Sequence, residues 1–466
     1  MSSDSELCDL TAIEQTRMFR HREVSARELL DAHLARIDER NPTVNAIVAA
    51  DPDVARRKAA ELDERRASAI TEAEVEALGP LAGLVTAFKD LSDTADFVTT
   101  YGSPPYAGHR PAADSLIVSR IKAAGAMAVG KTNVPEFGAG SHTFNPIYGT
   151  TVNPFDPTRS AGGSSGGAAA ALACGMVGVA DGSDSGGSLR NPAAWNNVVG
   201  FRPSAGVVPV GGIGNAWNPL PIHGPMGRTV DDMTLLLSVI AQPDSRDPMG
   251  RGLPSIRPST HPVDHPLRVA WSTDLGGLPI GPAITETLAR LIPVMTDDLG
   301  WSVTEDEPDF SGADDAYLTL RSFHYAGQAY RLVPHLDQVK EPVRVELEKG
   351  LALTATEIDG ALAHLKVLWD RANGFFDNYD LLIAPVTQVM PFRADLEYPT
   401  EVAGRPMDRY VDWMSVCFRI TAFGLPALSL PAGFHDGLPV GAQLIGRPHG
   451  DLDLLRAAKS LESALA

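Results

Sequence analysis

The chain predicts an α/β fold, a β-sheet covered by helices on both faces. Three observations carry this. From Leu81 onward short apolar strand-like segments alternate with helical ones over nearly the whole chain, the pattern of helices packed on a sheet. Residues 9–70 read as helical and wrap the core rather than take part in chemistry. No internal repeat or low-complexity segment offers a solenoid or a disordered arrangement instead.

The elements follow in order. Ser25-Ala-Arg-Glu28 is a capping box that opens a helix to about Arg40, stopped before Pro42. Asp51-Pro52 starts a second helix, rich in Arg and Glu, whose charges read as a solvated face. Leu81–Leu91 reads as a buried strand. Asp114–Ala124 is a helix with Asp114 as N-cap, and Ala126–Gly130 is a strand. Ala168–Cys174 has the composition of a closely packed helix, and Val177–Ala180 that of a buried strand. Thr229 caps a helix reaching Ala241. Strands at Leu267–Trp271 and Trp301–Glu305 flank a helix near 282–299. Residues 312–378 are a mainly helical excursion. Asp380–Ala384, Ala427–Leu430 and Val440–Ile445 return to strand, and a last helix spans about 451–464. The Pro/Gly-rich stretch 242–266 is the best linker candidate, yet strands resume beyond it. The reading is therefore one domain, 1–466, with an N-terminal helical wrap (1–75), a core carrying Gly/Ser loops (81–240) and the helical excursion.

At 466 residues the chain is long enough for a large core, and 44% hydrophobic with 21% charged residues is ordinary for a soluble globular protein. The net charge of −19 argues against a nucleic-acid partner, which needs a basic face. Cys8, Cys174 and Cys417 are widely spaced and read as buried small hydrophobes. No HExxH occurs, and His261-Pro-Val-Asp-His265 lies in a Pro-rich connection, so no metal or cofactor is expected. The polar, acidic start lacks the apolar core of a signal peptide, and no run reaches a membrane span. These features predict a cytoplasmic protein with no membrane association.

The chemistry concentrates in residues 160–192. Two Gly/Ser clusters, Gly162–Gly167 and Gly182–Ser188, flank a run of small apolar residues. Glycines let a backbone approach a ligand closely and leave N–H groups uncovered, as an oxyanion site requires. Ser164, Ser165, Ser183, Ser185 and Ser188 are therefore all candidate nucleophiles. A serine needs a base, and no histidine lies in this stretch. Lys89, in the apolar strand Leu81–Leu91, is the nearest unusual partner. Burial disfavours the ammonium form, and a neutral amine is a usable base. The bland alternative is a lysine that snorkels or pairs with Asp90. GGSSGG is not a phosphate cradle, because Ala168-Ala169 stand where a P-loop needs Lys-Ser or Lys-Thr. It is not a nucleophile elbow, because Asn153-Pro-Phe-Asp-Pro157 precedes it and cannot be a central strand.

With these residues in view, the chain resembles the amidase signature family, whose members hydrolyse amide bonds through a Ser–cis-Ser–Lys triad. The matching blocks are AFKDL (87–91), GGSSGG (162–167) and DGSDSGGSLRNPAA (181–194), followed by VVGFRPSAGVVP (198–209), HGPMGRTVDDM (223–233) and GLPVGAQLIG (437–446). They stand in the right order and cover nearly the whole chain. The resemblance implies a large mixed β-sheet, Ser188 as nucleophile, Ser164 as the cis-serine after Gly163, and Lys89 as base. It implies an oxyanion hole from the backbone N–H groups of Ser185, Gly186, Gly187 and Ser188. Ser165, Asp184 and Arg190 would support the serine loop. Many members carry threonines where this chain has Ser183 and Ser185, a change that bears on pocket shape more than on chemistry. Phe137, Phe144, Trp217 and Trp413 stand in or near loops that the family uses for substrate walls, and Phe137, Phe144 and Trp217 are taken as the pocket. His142 and His223 read as structural polar groups. The expected activity is hydrolysis of a small or medium carboxamide or acyl amide through an acyl-enzyme. An amidotransferase A-type subunit working in a complex, or a urea or carbamate hydrolase, are the alternatives. GGIGNAWNPLPIHGP (211–225) looks more like a stand-alone amidase. The expected partner is the small-molecule amide, with homodimer formation left open.

Overall fold

A computed structural model describes residues 4–211, 215–253, 256 and 261–466. Parts of the 211–225 and 242–266 segments singled out above lie outside the described residues. The main sheet has eight strands. In spatial order they are Ser302–Glu305, Arg268–Trp271, Leu381–Pro385, Leu438–Ile445, Ala427–His435, Val199–Arg202, Ile222–Gly227 and Val179–Asp184. The first three run parallel. Every later pairing is antiparallel. Most of the predicted strands therefore join one mixed sheet.

A second sheet of three strands, Ile47–Val48, Met127–Thr132 and Val85–Lys89, stands beside the edge strand Val179–Asp184. The two sheets are joined where the Gly178 amide donates to the Val85 carbonyl at 2.9 Å and the Thr86 hydroxyl to the Val179 carbonyl at 2.9 Å. All five residues of Val85–Lys89 are buried, so Lys89 enters the interior with its strand. Gly166–Ala173 is a helix buried on every side. Only small residues allow that, since a Cβ on Gly167 would stand 2.3 Å from the Asn133 amide nitrogen.

Several expected boundaries move. The helix opened by the Ser25–Glu28 capping box runs through Pro42 to Val44, and Asn45, left-handed at φ 51°, ends it. The proline sits in the last turn, where its missing N–H costs one ladder bond just before the helix ends. Asp114 does not cap its helix, which spans Leu116–Ala123 behind Ser115. Its carboxylate instead accepts from the Ala95 amide and from Lys122. The strand expected at Val177–Ala180 spans Val179–Asp184, taking Gly182 and Ser183 out of the loop. The ladder with Ile222–Gly227 compensates their low strand propensity. The excursion holds helices Ala313–Ala326, Ala329–Leu332, Glu341–Ala352 and Ala355–Phe375. Among the described residues no helix is long and apolar enough to cross a membrane.

Candidate active site

Lys89 ends its strand inside the protein, fully buried. Its backbone N–H donates to Asp181 Oδ1 at 2.8 Å, which ties the strand end to the neighbouring sheet. Its amine lies 2.8 Å from Ser164 Oγ, 2.8 Å from Ser165 Oγ, 2.9 Å from Ser183 Oγ and 3.2 Å from the Ser183 carbonyl. No carboxylate pairs with it directly among the described residues. Burial lowers the amine to about 7, against Asp181 and Asp184, which pull the other way. Asp90 does not pair with Lys89. Its carboxylate takes the Thr100 amide at 3.1 Å and the Thr100 hydroxyl at 2.5 Å.

The peptide between Gly163 and Ser164 is cis. Asn191 brackets it, its Oδ1 accepting from Gly163 N at 3.1 Å and its Nδ2 donating to Gly163 O at 2.7 Å. Ser188 is 8% exposed, against 3% for Ser164 and 0% for Ser165. Ser164 and Ser188 line one cavity of about 100 Å³. No hydrogen bond joins their two hydroxyls among the described residues.

The loop after Val179–Asp184 is fixed by charge. Asp184 accepts from Gly187 N at 2.7 Å, Leu189 N at 3.1 Å, Arg190 Nε at 3.0 Å and Arg190 Nη2 at 3.0 Å. Burial opposes ionisation of this carboxyl, but Arg190 and Arg202 outweigh it and hold it well below the usual carboxylate range. Arg190 is itself anchored to Cys417 O, Gln443 Oε1 and Thr421 Oγ1. The Gly187 amide is thus committed to Asp184, so the expected oxyanion set contracts to the amides of Ser185, Gly186 and Ser188. Gly186 is required by crowding, because a Cβ there would lie 2.0 Å from Tyr317 Oη.

Of the expected pocket residues, Phe137 lines the cavity and stacks on Tyr101 with ring centroids 6.0 Å apart. Phe144 does not line it, and packs between His142 at 5.2 Å and Lys340 at 5.3 Å. The Trp217 side chain is 68% exposed, outside the cavity walls. Trp413 is core, stacked on Trp195 at 5.0 Å. His142 is buried and bonds Ser160 and Ala394, as a structural group would. His223 instead lines a second cavity. Sequence reasoning missed Tyr317, Arg321, His324 and Tyr325, which also line the inner cavity. Their spacing puts all four on one helix face, a signal that was available. It also missed Asp181 and Asn191, ordinary polar residues inside the motif blocks, which no residue type sets apart.

The amidase family profile matches residues 28–455. The chain belongs to the amidase signature family. It is 33% identical to an acylamidase of Rhodococcus erythropolis over 463 residues, covering 97% of this chain and 95% of that one. It is also 33% identical to the A subunit of the glutamyl-tRNA(Gln) amidotransferase of Symbiobacterium thermophilum, covering 96% and 95%. A bacterial aryl acylamidase of the amidase signature family superposes with a TM-score of 0.89 at 29% identity, covering 98% and 96%. As a member of the amidase signature family, the chain is a hydrolase acting on C–N bonds.

Proposed function

We propose that the protein hydrolyses the C–N bond of a small or medium carboxamide or acyl amide, giving a carboxylate and ammonia or an amine, through an acyl-enzyme on Ser188. The observation that carries this is the Lys89 amine, wholly buried, brought down to about 7 and 2.8 Å from Ser164 Oγ. A neutral amine in that place is a base at ordinary pH. Lys89 takes the Ser164 proton while Ser164 takes the Ser188 proton, and Ser188 Oγ forms a bond to the carbonyl carbon. The amides of Ser185, Gly186 and Ser188 receive the oxyanion. As the C–N bond breaks, the relay returns the proton to the departing nitrogen. Water then repeats the sequence on the ester, releasing the carboxylate and restoring Ser188. Ser165 and Ser183 hold the amine in line, and Asp184 with Arg190 holds the nucleophile loop.

The test is a serine-directed covalent probe followed by peptide mapping. Label on Ser188, abolished in Ser188→Ala, is the expected result, and label on Ser164 or Ser165 overturns the assignment. An amidotransferase A-type role is the second reading, favoured by the equal identity to the amidotransferase relative. Full amide turnover by the purified protein, with no other component present, decides against it. A panel that includes ureas and carbamates separates the remaining alternative.

A further inference from the structure

The inner cavity opens against a larger one of about 330 Å³, and the two share Leu91, Phe137, Ser183, Pro221 and His324 as common wall. The outer cavity is lined by aromatic and apolar side chains together with polar ones that include Asn215, Asn218, His223, His324, Gln328 and Arg331. Among the described residues no Asp or Glu lines it, in a chain with 58 acidic against 39 basic residues. Its imidazoles carry no charge at neutral pH. Burial, with Arg321 nearby, brings His324 down to about 4, and burial also lowers His223. Asn218 and Gln328 both approach the His324 ring, at 3.4 and 3.0 Å.

Arg331 is the one full charge in this wall among the described residues. Its guanidinium carbon lies 4.1 Å above the Tyr101 ring centroid and 5.8 Å from that of Tyr106. Among the described residues no carboxylate stands within 4.0 Å of it. Asp93, close by, takes the Tyr101 hydroxyl at 2.5 Å and does not line the cavity. A guanidinium stacked on an aromatic ring is held in place and can still offer N–H groups at its edge; here the Tyr101 hydroxyl and the Asp93 charge also bear on it. Arg321, in the inner cavity, is different, because Glu346 and Tyr410 already engage it.

We propose that the outer cavity receives an anionic group, a carboxylate carried by the substrate away from its amide, with Arg331 as the counter-charge. This rests on the inner cavity being the hydrolytic site. The substrate class is then an amide with a distal carboxylate, and a neutral amide of equal size is the poorer substrate.

Two matched pairs test it. Butyranilide and succinanilate differ by a carboxylate on the acyl side, and 4-methylacetanilide and 4-acetamidobenzoate by one on the amine side. In the wild type, kcat/KM for the carboxylate member of at least one pair exceeds its neutral partner by about tenfold, the weight of a charge-assisted contact. That ratio falls close to one in Arg331→Gln, survives in part in Arg331→Lys, and shrinks as salt is raised. A ratio at or below one in both pairs, or a ratio unchanged in Arg331→Gln, overturns the proposal. The same ratios read as Kd on Ser188→Ala protein, with and without Arg331→Gln, stand apart from turnover. A carboxylate preference there, with no turnover in the wild type, removes the hydrolytic reading and keeps the anion site. No preference there removes the anion site.

Discussion

Lys89 is surrounded by three hydroxyls and a carbonyl, and none of them can neutralise an ammonium as a carboxylate would. Activity is therefore expected to rise with pH through about 7 and then level off, read from kcat/KM against pH. Lys89→Arg is expected to be inactive at every pH, because guanidinium stays charged. Near-normal turnover of that variant removes Lys89 as base. The same shift has a stability consequence. The folded amine titrates at about 7, the unfolded one near ~10.4. Between those values the unfolded chain binds more protons, so stability rises with pH there. The cost of burying the ammonium is complete below the folded value and gone above the unfolded one. Lys89→Met is expected to flatten that slope by up to about 1.4 kcal/mol per pH unit, seen in urea melts from pH 7 to 10. An unchanged slope means that the amine is not shifted. Ser188→Ala is expected to lower kcat by more than about a thousandfold with unchanged melting.

The strand Val179–Asp184 delivers Ser183 to the amine and Asp184 to the loop, so its register sets both. Asp184→Asn leaves Arg190 and Arg202 buried without a counter-charge. A loss of about 3–5 kcal/mol is expected in chemical denaturation, and a wild-type midpoint excludes the clamp. The helix Ala313–Ala326 touches the loop from the other side. Gly186→Ala is expected to cut kcat sharply by forcing Tyr317 away, while KM changes less. This strand is only half legible in the sequence. Val177–Ala180 carries the apolar signal, but Gly182 and Ser183 look like loop residues and take strand geometry only through pairing with Ile222–Gly227. The latter strand reads IHGPMG, with a proline and two glycines, and gives no strand signal of its own. Lys89, by contrast, stands out because a charge in an apolar run is uncommon, whereas Ser164 is one of five candidate serines and only the family resemblance singles it out. The face formed by Tyr317, Arg321 and His324 escapes notice because an amphipathic helix over-explains its polar residues as solvated.

Among the described residues the buried Lys89 is shifted down to about 7 and the buried Lys131 to about 8, and Lys340, half-buried with its amine inside, also to about 8, each chiefly by desolvation. His33, His142 and His324 are held at about 4, again by burial first. Below ~6.5 the unfolded chain takes up protons that these rings refuse, so stability is lost on acidification toward 4. Asp90 and Asp232, raised by burial to about 6, offset part of that loss. The thermal midpoint at about 0.5 M salt, where the self-repulsion of a −19 chain is screened, is expected to be higher at pH 9 than at pH 6. The opposite order means that the buried lysines keep their protons in the fold. The α/β architecture is legible because alternation is a property of the entire chain. Which strands share a sheet is not, because Lys89 and Ser188 sit on either side of a seam between two sheets, and sheet membership is written in no local pattern. The reach of Arg190 adds a matter of timing. Its anchors Cys417, Thr421 and Gln443 follow it in the chain by 227, 231 and 253 positions. A polypeptide emerging from the ribosome thus has Lys89, Ser164 and Ser188 outside long before Arg190 has its full set of acceptors. On the proposed mechanism, a chain stopped short of Gln443 is expected to carry those three residues without the anchored Arg190 behind the Ser188 loop, and so to be inactive.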